Sequence, residues 1–465
     1  MGMTVETPNS KRAVTIIGAG LVGSLLATLL AQRGFDVDVF ERRPDPRVQG
    51  FIGGRSINLA LAERGLVALR DAGVADAVLA QSVMMRGRMI HALDGALELQ
   101  RYGLDDSEVI RSVSRGRLNV LLIDTAERAG VRFHFDTPLL DVDFANDTLS
   151  LGDRAGGITP HRFDGLLFGC DGAGSALRTA MAKVTDLGER VEPLGHGYKE
   201  LEIPGLADGG FALEPNALHI WPRGHYMCIA LPNTEGNFTV TLFLPNAGPP
   251  PCFDALPDAA SARALFAQQF PDALALMPTF DHDWDAHPVG QLATLYLDRW
   301  HLNERVSLLG DAAHAVVPFH GQGMNAGFED AAELARLLQP GKPHTGLLTE
   351  FQRRRKPNAD AIAAMSLANY IEMRDGVSDS YYLLKRGLAA ELTRRAPEHF
   401  MSRYRMVSFT TLPYAFCTER DAAQTRLLQA LLAGHTELAS VDMDAAEARV
   451  RAELPRLPLQ PVAGD

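Results

Sequence analysis

Residues 310–330 read GDAAHAVVPFHGQGMNAGFED: an early aspartate, two histidines, three glycines after position 320, and no lysine or arginine. Such residues serve metal ligation, proton transfer, or the cradling of a bound group that carries its own chemistry. Spacing decides among these. His314 and His320 lie six residues apart across Pro318, which is not helical ligand spacing, and no carboxylate triad accompanies them, so no metal site is expected. RVSLLGD ends a strand at Gly310-Asp311, Pro318 to Gly323 makes a loop, and NAGFEDAAELARLL forms a helix. The helix opens near Met324 and Asn325, and free N–H groups at its start carry roughly half a positive charge. Asp311 can accept hydrogen bonds from ribityl hydroxyls. An acceptor followed by a positive helix end suits a flavin, which gains negative charge around N1 and the C2 carbonyl on reduction. His314 reads as structural. His320, in the loop that would face the flavin, reads as a polar lining residue and the one catalytic candidate.

A second cradle lies near the start. IIGAGLVG places Gly18, Gly20 and Gly23 in G-x-G-x-x-G spacing after a strand and at the opening of a helix. The first glycine permits the tight turn, the second lets backbone approach a diphosphate, and the third lets the helix pack on the sheet. Glu41, ending the next strand, can bind a ribose hydroxyl. Its carboxylate disfavours a 2′-phosphate, so NADP is the poorer occupant, although Arg42 and Arg43 adjoin it. FGCDGAGSALR adds Asp171 after another short strand, where a ligand contact and an ordinary strand-to-helix turn are equally good readings.

These residues require a scaffold of strands alternating with helices, hence an α/β fold with a parallel, Rossmann-type sheet. Residues 218–245 change texture: two strand-like runs joined by a Pro-Asn-Thr-Glu-Gly turn indicate an inserted antiparallel sheet. From about residue 323 the chain reads mostly helical, with breaks at Pro340, Pro357 and Pro397. The expected division is 1–183 with 285–345 as a nucleotide-binding domain, 184–284 as an antiparallel-sheet substrate domain, and 346–465 as a helical region. Residues near 80–105 are expected on the substrate side.

With 465 residues, 46% hydrophobic and 22% charged, the chain is globular and long enough for several domains. A net charge of −12 argues against nucleic acid, and Arg353-Arg354-Arg355-Lys356 reads as a solvated helix end. Four scattered cysteines supply neither a disulfide framework nor a thiolate site and fit a reducing cytoplasm. The uncharged run from Ala13 to Ala31 superficially resembles a membrane span, but glycines 18, 20 and 23 explain it better.

Beyond the glycine fingerprint, the chain carries GGRSINLALAERG at 53–65, MRGRMIH at 85–91 and DSEVIRSVSRGRLN at 106–119. It also carries VPFHGQGMNAGFED at 317–330 and NADAIAAMSLANYIEMRD at 358–375. In these it resembles the single-component FAD-dependent aromatic hydroxylases, and within them the branch that hydroxylates L-kynurenine. The resemblance implies that Gly18, Gly20, Gly23 and Glu41 hold the ADP part of tightly bound, non-covalent FAD. Arg55 and Ala60 would line its middle, Arg115 would contact it from a helix start, and Asp311, Met324 and Asn325 would hold the flavin end. Arg88, Tyr102, Asn369 and Tyr404 would bind the substrate carboxylate. Arg86 competes with Arg88, since the two share a face of a strand; the family register favours Arg88. Family members with a C-terminal membrane anchor differ from this chain, which resembles the soluble, bacterial type.

The resemblance further implies NADPH as a transient co-substrate, O2 as oxidant, and hydroxylation through a flavin C4a-hydroperoxide. No general base is expected, because the aromatic amine of kynurenine already activates the ortho position. The alternatives are hydroxylation of another aromatic acid, such as a hydroxybenzoate or salicylate, and a flavin reductase that does not use oxygen.

Overall fold

A computed structural model describes residues 13–49, 58–375 and 380–459. The nucleotide-binding sheet has six strands, in the order His301–Leu302, Val306–Leu308, Leu166–Gly169, Ala13–Ile17, Asp36–Phe40 and Arg132–His134. All are parallel except the His301–Leu302 edge. Register explains why the scattered motifs meet. Ile17 lies opposite both Phe40 and Gly169, and Gly169 lies opposite Leu308. Gly18, Glu41, Asp171 and Asp311 therefore leave the sheet at the same C-terminal edge, where open α/β sheets bind ligands. Behind that edge Leu25, Leu26, Leu29 and Leu30 of the helix Leu21–Gln32 are fully buried.

The second sheet has seven strands, ordered Gly290–Tyr296, Arg190–Ile203, Phe238–Pro245, Met227–Pro232, Ala217–Pro222, Gly87–His91 and Leu97–Arg101. Its pairs are antiparallel except Ala217–Pro222 with Gly87–His91. Residues 218–245 thus contain three strands, not two. The missed turn is Arg223 to Tyr226, closed by an Arg223 N–H to Tyr226 carbonyl bond of 3.0 Å and eased by Gly224 at φ +74°. Gly290–Tyr296 also belongs here, so the chain returns to the nucleotide sheet later than position 285. On one face His91 bonds Asp272 at 2.7 Å and His219 at 2.8 Å, and Trp221 Nε1 donates to Asp272. This chain of bonds ties the short helix Pro271–Leu274 to the sheet.

The C-terminal part is helical, and two sequence expectations need correction. Pro357 does not break a helix: it lies inside Leu347–Asp375. An interior proline costs about 3 kcal/mol, but Phe351 and Arg355 before it and Ala359, Ile362 and Ala363 after it are all buried. Nor is the basic run a solvated helix end. Arg353 and Arg354 pair with Glu350 on the surface, whereas Arg355 turns inward to Asp330 at 2.7 Å and Glu329 at 2.7 Å. Among the described residues, no helix is long and apolar enough to cross a membrane.

Candidate active site

At the fingerprint, sterics account for two glycines and leave the third for a ligand. Gly18 sits at φ +102°, and a Cβ there would lie 2.5 Å from the Cys170 carbonyl oxygen. A Cβ on Gly23 would lie 2.0 Å from the Gly18 carbonyl oxygen. A Cβ on Gly20 would meet nothing within 4 Å. Among the described residues no contact requires glycine at that position; a close-approaching diphosphate would. Glu41 reaches back to the same turn, accepting from Ala19 N–H at 2.8 Å and Arg43 N–H at 2.9 Å. Asp171 accepts from Ala176 and Leu177 N–H, serving the start of the helix Ala176–Ala182. Its other oxygen is buried and has no partner among the described residues.

At the neighbouring strand end, Asp311 is open to solvent yet enclosed by protein, and that enclosure raises its pKa. The charge of Arg115, first residue of the helix Arg115–Arg128, acts on it in the opposite direction. The helix Gly323–Leu337 starts beside it, and the first N–H to bond within that helix is Ala326's, to Gln322 at 2.8 Å. The backbone N–H groups of Gly323, Met324 and Asn325 therefore lead the helix. The Asn325 side chain is committed elsewhere. It donates to the carbonyls of Ala60 and Gly321, both at 2.8 Å, and accepts from Ala62 N–H at 2.9 Å. It fastens the strand Asn58–Leu61 to the loop, which leaves its backbone N–H at the helix start. Arg55 lies outside the described residues.

The two histidines separate cleanly. His314 is buried, bonded to Asp330 at 2.6 Å and stacked on Trp300 at 4.9 Å. His320 is buried with neither ring nitrogen partnered. Burial, with Arg403 adding to it, pushes its pKa down to about 3, so the ring is neutral. Among the described residues no cluster of His, Cys, Asp or Glu could hold a metal ion.

His320 also lines a cavity of about 710 Å³, together with Arg88, Tyr102, Asn369 and Tyr404. These come from the second sheet, the turn after it and two C-terminal helices, and aromatic stacking unites them. Tyr404 lies between the Tyr102 ring at 4.9 Å and the His320 ring at 5.4 Å. The Arg88 guanidinium stands 5.0 Å from the Tyr404 centroid and 5.7 Å from that of Tyr102. Burial opposes the Arg88 charge, but Tyr404, Tyr102 and Glu372 more than offset it and raise its pKa. Its Nε is buried without a partner, a donor awaiting an acceptor. Arg86 is separated from it: its Nε binds Asp106 at 2.9 Å on the surface. Both phenols are pushed up, chiefly by burial, and stay as donors. Asn369 holds the Pro318–His320 turn by donating to the Phe319 carbonyl at 2.6 Å. Phe319 itself stacks on Tyr370 at 4.0 Å and meets Phe243 of the second sheet at 4.9 Å.

Sequence reasoning missed the polar part of this cavity. Glu372 accepts from Tyr382 Oη at 2.8 Å and from Arg403 at 2.9 Å, and Arg403 also reaches Asp421 at 3.2 Å. These residues sit on four helices, and nothing in their sequence spacing announces the meeting.

The family model described as FAD binding domain matches residues 11–191 and 267–366. Kynurenine 3-monooxygenase of Stenotrophomonas maltophilia (strain K279a) is 54% identical over 450 residues, covering 97% of this chain and 98% of that protein. The enzyme of the same name from Xanthomonas axonopodis pv. citri (strain 306) is 54% identical over 449 residues, with 96% and 98% covered. Among solved structures, a tetrameric form of 2-methyl-3-hydroxypyridine-5-carboxylic acid oxygenase superposes with a TM-score of 0.65 at 22% identity. That match covers 80% of this chain and 95% of the other. PqsL of P. aeruginosa, in complex with 2-aminobenzoylacetate, gives 0.63 at 21%, with 78% and 96% covered. At such identities these two structures share the fold.

Proposed function

The chain belongs to the kynurenine 3-monooxygenases, a branch of the FAD-dependent aromatic hydroxylases, and we propose that it converts L-kynurenine to 3-hydroxy-L-kynurenine with NADPH and O2. One observation carries this reading. Arg88, Tyr102, Asn369 and Tyr404 meet in a single cavity that is also lined by His320, from the loop leading into the helix Gly323–Leu337.

When bound, FAD would accept hydride from NADPH and activate O2 for electrophilic attack on the ring. The residues that would hold it are those of the shared sheet edge: Gly18, Gly20 and Glu41 at the ADP end, Asp311 and the Met324 and Asn325 N–H groups at the flavin end. Ala60, Arg115 and Asp171 would border it between. The buried, unpartnered Asp171 oxygen and the open direction at Gly20 both fit an occupant there.

The remaining work falls to the chain. Arg88 would bind the substrate carboxylate with a planar pair of donors, and the Tyr102 and Tyr404 phenols and the Asn369 amide would add directional bonds. The stacked rings of Tyr102, Tyr404 and His320 would border the aromatic ring of the substrate, hold it in place and exclude water. No residue need remove a proton to activate the ring, since its amine already directs attack to the ortho carbon. A neutral His320 agrees with that division of labour. A reducing cytoplasm, with NADPH at hand, suits four cysteines that are all buried and free.

The test is NADPH oxidation by FAD-loaded protein in air, with and without L-kynurenine, with products identified by mass spectrometry. Strong stimulation and a product one oxygen heavier are expected. Peroxide without that product would make kynurenine an effector only, and no response would remove the assignment.

A further inference from the structure

A substrate anchored only through its carboxylate would need only the cations and phenols of the cavity. This cavity also holds a carboxylate. Glu372 follows Asn369 by three residues on the helix Leu347–Asp375, so both lie on one helical face, and both line the cavity with Arg88. The Glu372 side chain is 33% exposed, although its neighbours Asn369 and Tyr370 are buried. It is also aimed. Tyr382 Oη donates to one oxygen at 2.8 Å and Arg403 to the other at 2.9 Å. A carboxylate has about four acceptor positions, so each oxygen keeps capacity for another donor. Arg403 is shared with Asp421, so this one guanidinium faces two carboxylates. The Glu372 charge is felt at Arg88, where it helps keep the guanidinium protonated.

An α-amino acid bears its ammonium and its carboxylate on the same carbon atom, so the partners of the two groups must be neighbours. We propose that Glu372 receives the substrate's α-ammonium and makes the cavity selective for α-amino acids over aromatic acids that lack the amine. The inference rests on the kynurenine reading above. Recognition then has two halves. Arg88 draws the carboxylate in, and Glu372 penalises any ligand that brings negative charge without a compensating cation. Tyr382 and Arg403 are positioning residues that hold the Glu372 oxygens toward the cavity.

The experiment compares L-kynurenine with its desamino analogue, 4-(2-aminophenyl)-4-oxobutanoic acid, on FAD-loaded wild type, Glu372→Gln and Tyr382→Phe. A charge-assisted hydrogen bond corresponds to about tenfold or more in kcat/KM. Wild type should therefore favour kynurenine by at least that factor. Glu372→Gln should lose the preference, mainly through a higher KM for kynurenine, while the analogue stays within about twofold. Tyr382→Phe removes one of the two bonds that hold Glu372 and keeps the charge, so it should weaken the preference less than Glu372→Gln does. Equal losses on both substrates would reduce Glu372 to a tie between helices and overturn the proposal. Should Glu372→Gln fail to fold, Kd values from wild-type flavin fluorescence decide: equal binding of the two compounds overturns it, tighter kynurenine supports it. A wild type that binds kynurenine but never hydroxylates it would sink the kynurenine reading, while the Kd comparison would still decide the role of Glu372.

Discussion

Asp330→Asn is a sharp probe of how the Gly310-Asp311 strand end is held. Asp330 is fully buried, and three donors converge on it. Gly310 N–H at 3.0 Å and His314 Nε2 at 2.6 Å meet one oxygen, and Arg355 Nε at 2.7 Å meets the other. An amide in its place must turn its NH2 toward either the Gly310 N–H or Arg355, so one donor always faces another. His314 and Arg355 hold the carboxyl down at about 2, against the cost of burial and an ordinary value of 3.8. At 1.36 kcal/mol per unit this corresponds to roughly 2 kcal/mol. Stranding a buried donor costs about 1–3 kcal/mol by a separate route, and the two figures agree on a loss of about 2 kcal/mol. Because the same carboxylate pins Gly310, next to Asp311, FAD should also dissociate about tenfold more readily. Urea unfolding of the FAD-loaded protein, followed by tryptophan and flavin fluorescence, measures both. A variant within about 0.5 kcal/mol of wild type that keeps its FAD would refute the reasoning. The pH sign supplies a second check. The pKa is depressed on folding, so this contribution is present above 3.8, is lost as pH falls toward 2, and should be absent from the variant.

The fingerprint glycines should fail in different ways. Gly18→Ala drives a Cβ into the Cys170 carbonyl at a positive φ, so it should cost the fold about 3 kcal/mol whether or not FAD is present. Gly20→Ala, at φ −71° with open space ahead, should leave apoprotein stability within about 1 kcal/mol and weaken FAD binding at least about tenfold, read by flavin fluorescence titration. Equal effects on the two would contradict the division drawn above. Acidification should destabilise the protein from about pH 6.5 downward. Burial holds His219 down to about 4 and His320 to about 3, while in the unfolded chain both take up protons near pH 6.5. Stability should then fall from pH 6.5 toward 4, by about 2 kcal/mol per histidine at pH 5. Urea midpoints at pH 7 and pH 5 measure this, and His219→Asn should shrink the drop; a flat wild-type curve would count against it.

What could be read in advance followed how local the governing physics is. The glycine fingerprint, Glu41 and Gly310-Asp311 are fixed by sterics and strand ends within a few residues, and the sheet register then brings them to one edge. Arg88 and Arg86 could not be told apart on a strand pattern; Asp106, twenty residues from Arg86, takes it to the surface. Arg355 was misjudged because its neighbours Arg353 and Arg354 do face solvent, and only Glu329 and Asp330 from another helix draw it inward. Pro357 was misread for the same reason, since packing on both sides outweighs a local preference. Glu372, Tyr382, Arg403 and Asp421 left no trace in the spacing because no two share an element.

The bond from Asn369 to the Phe319 carbonyl has a consequence for timing. The carbonyl belongs to the short loop whose next residue forms the cavity wall and whose end opens the helix Gly323–Leu337. The amide Nδ2 is engaged by Phe319 and by the Met373 sulfur, so an arriving carboxylate can claim it only by taking it from one of them. If it is taken from Phe319, the loop is released as the cavity fills. Occupancy of the cavity would thereby be passed to the loop across a single peptide unit. An enzyme that handles oxygen gains an order of events from such an exchange: the reactive group need not be readied until there is something for it to react with.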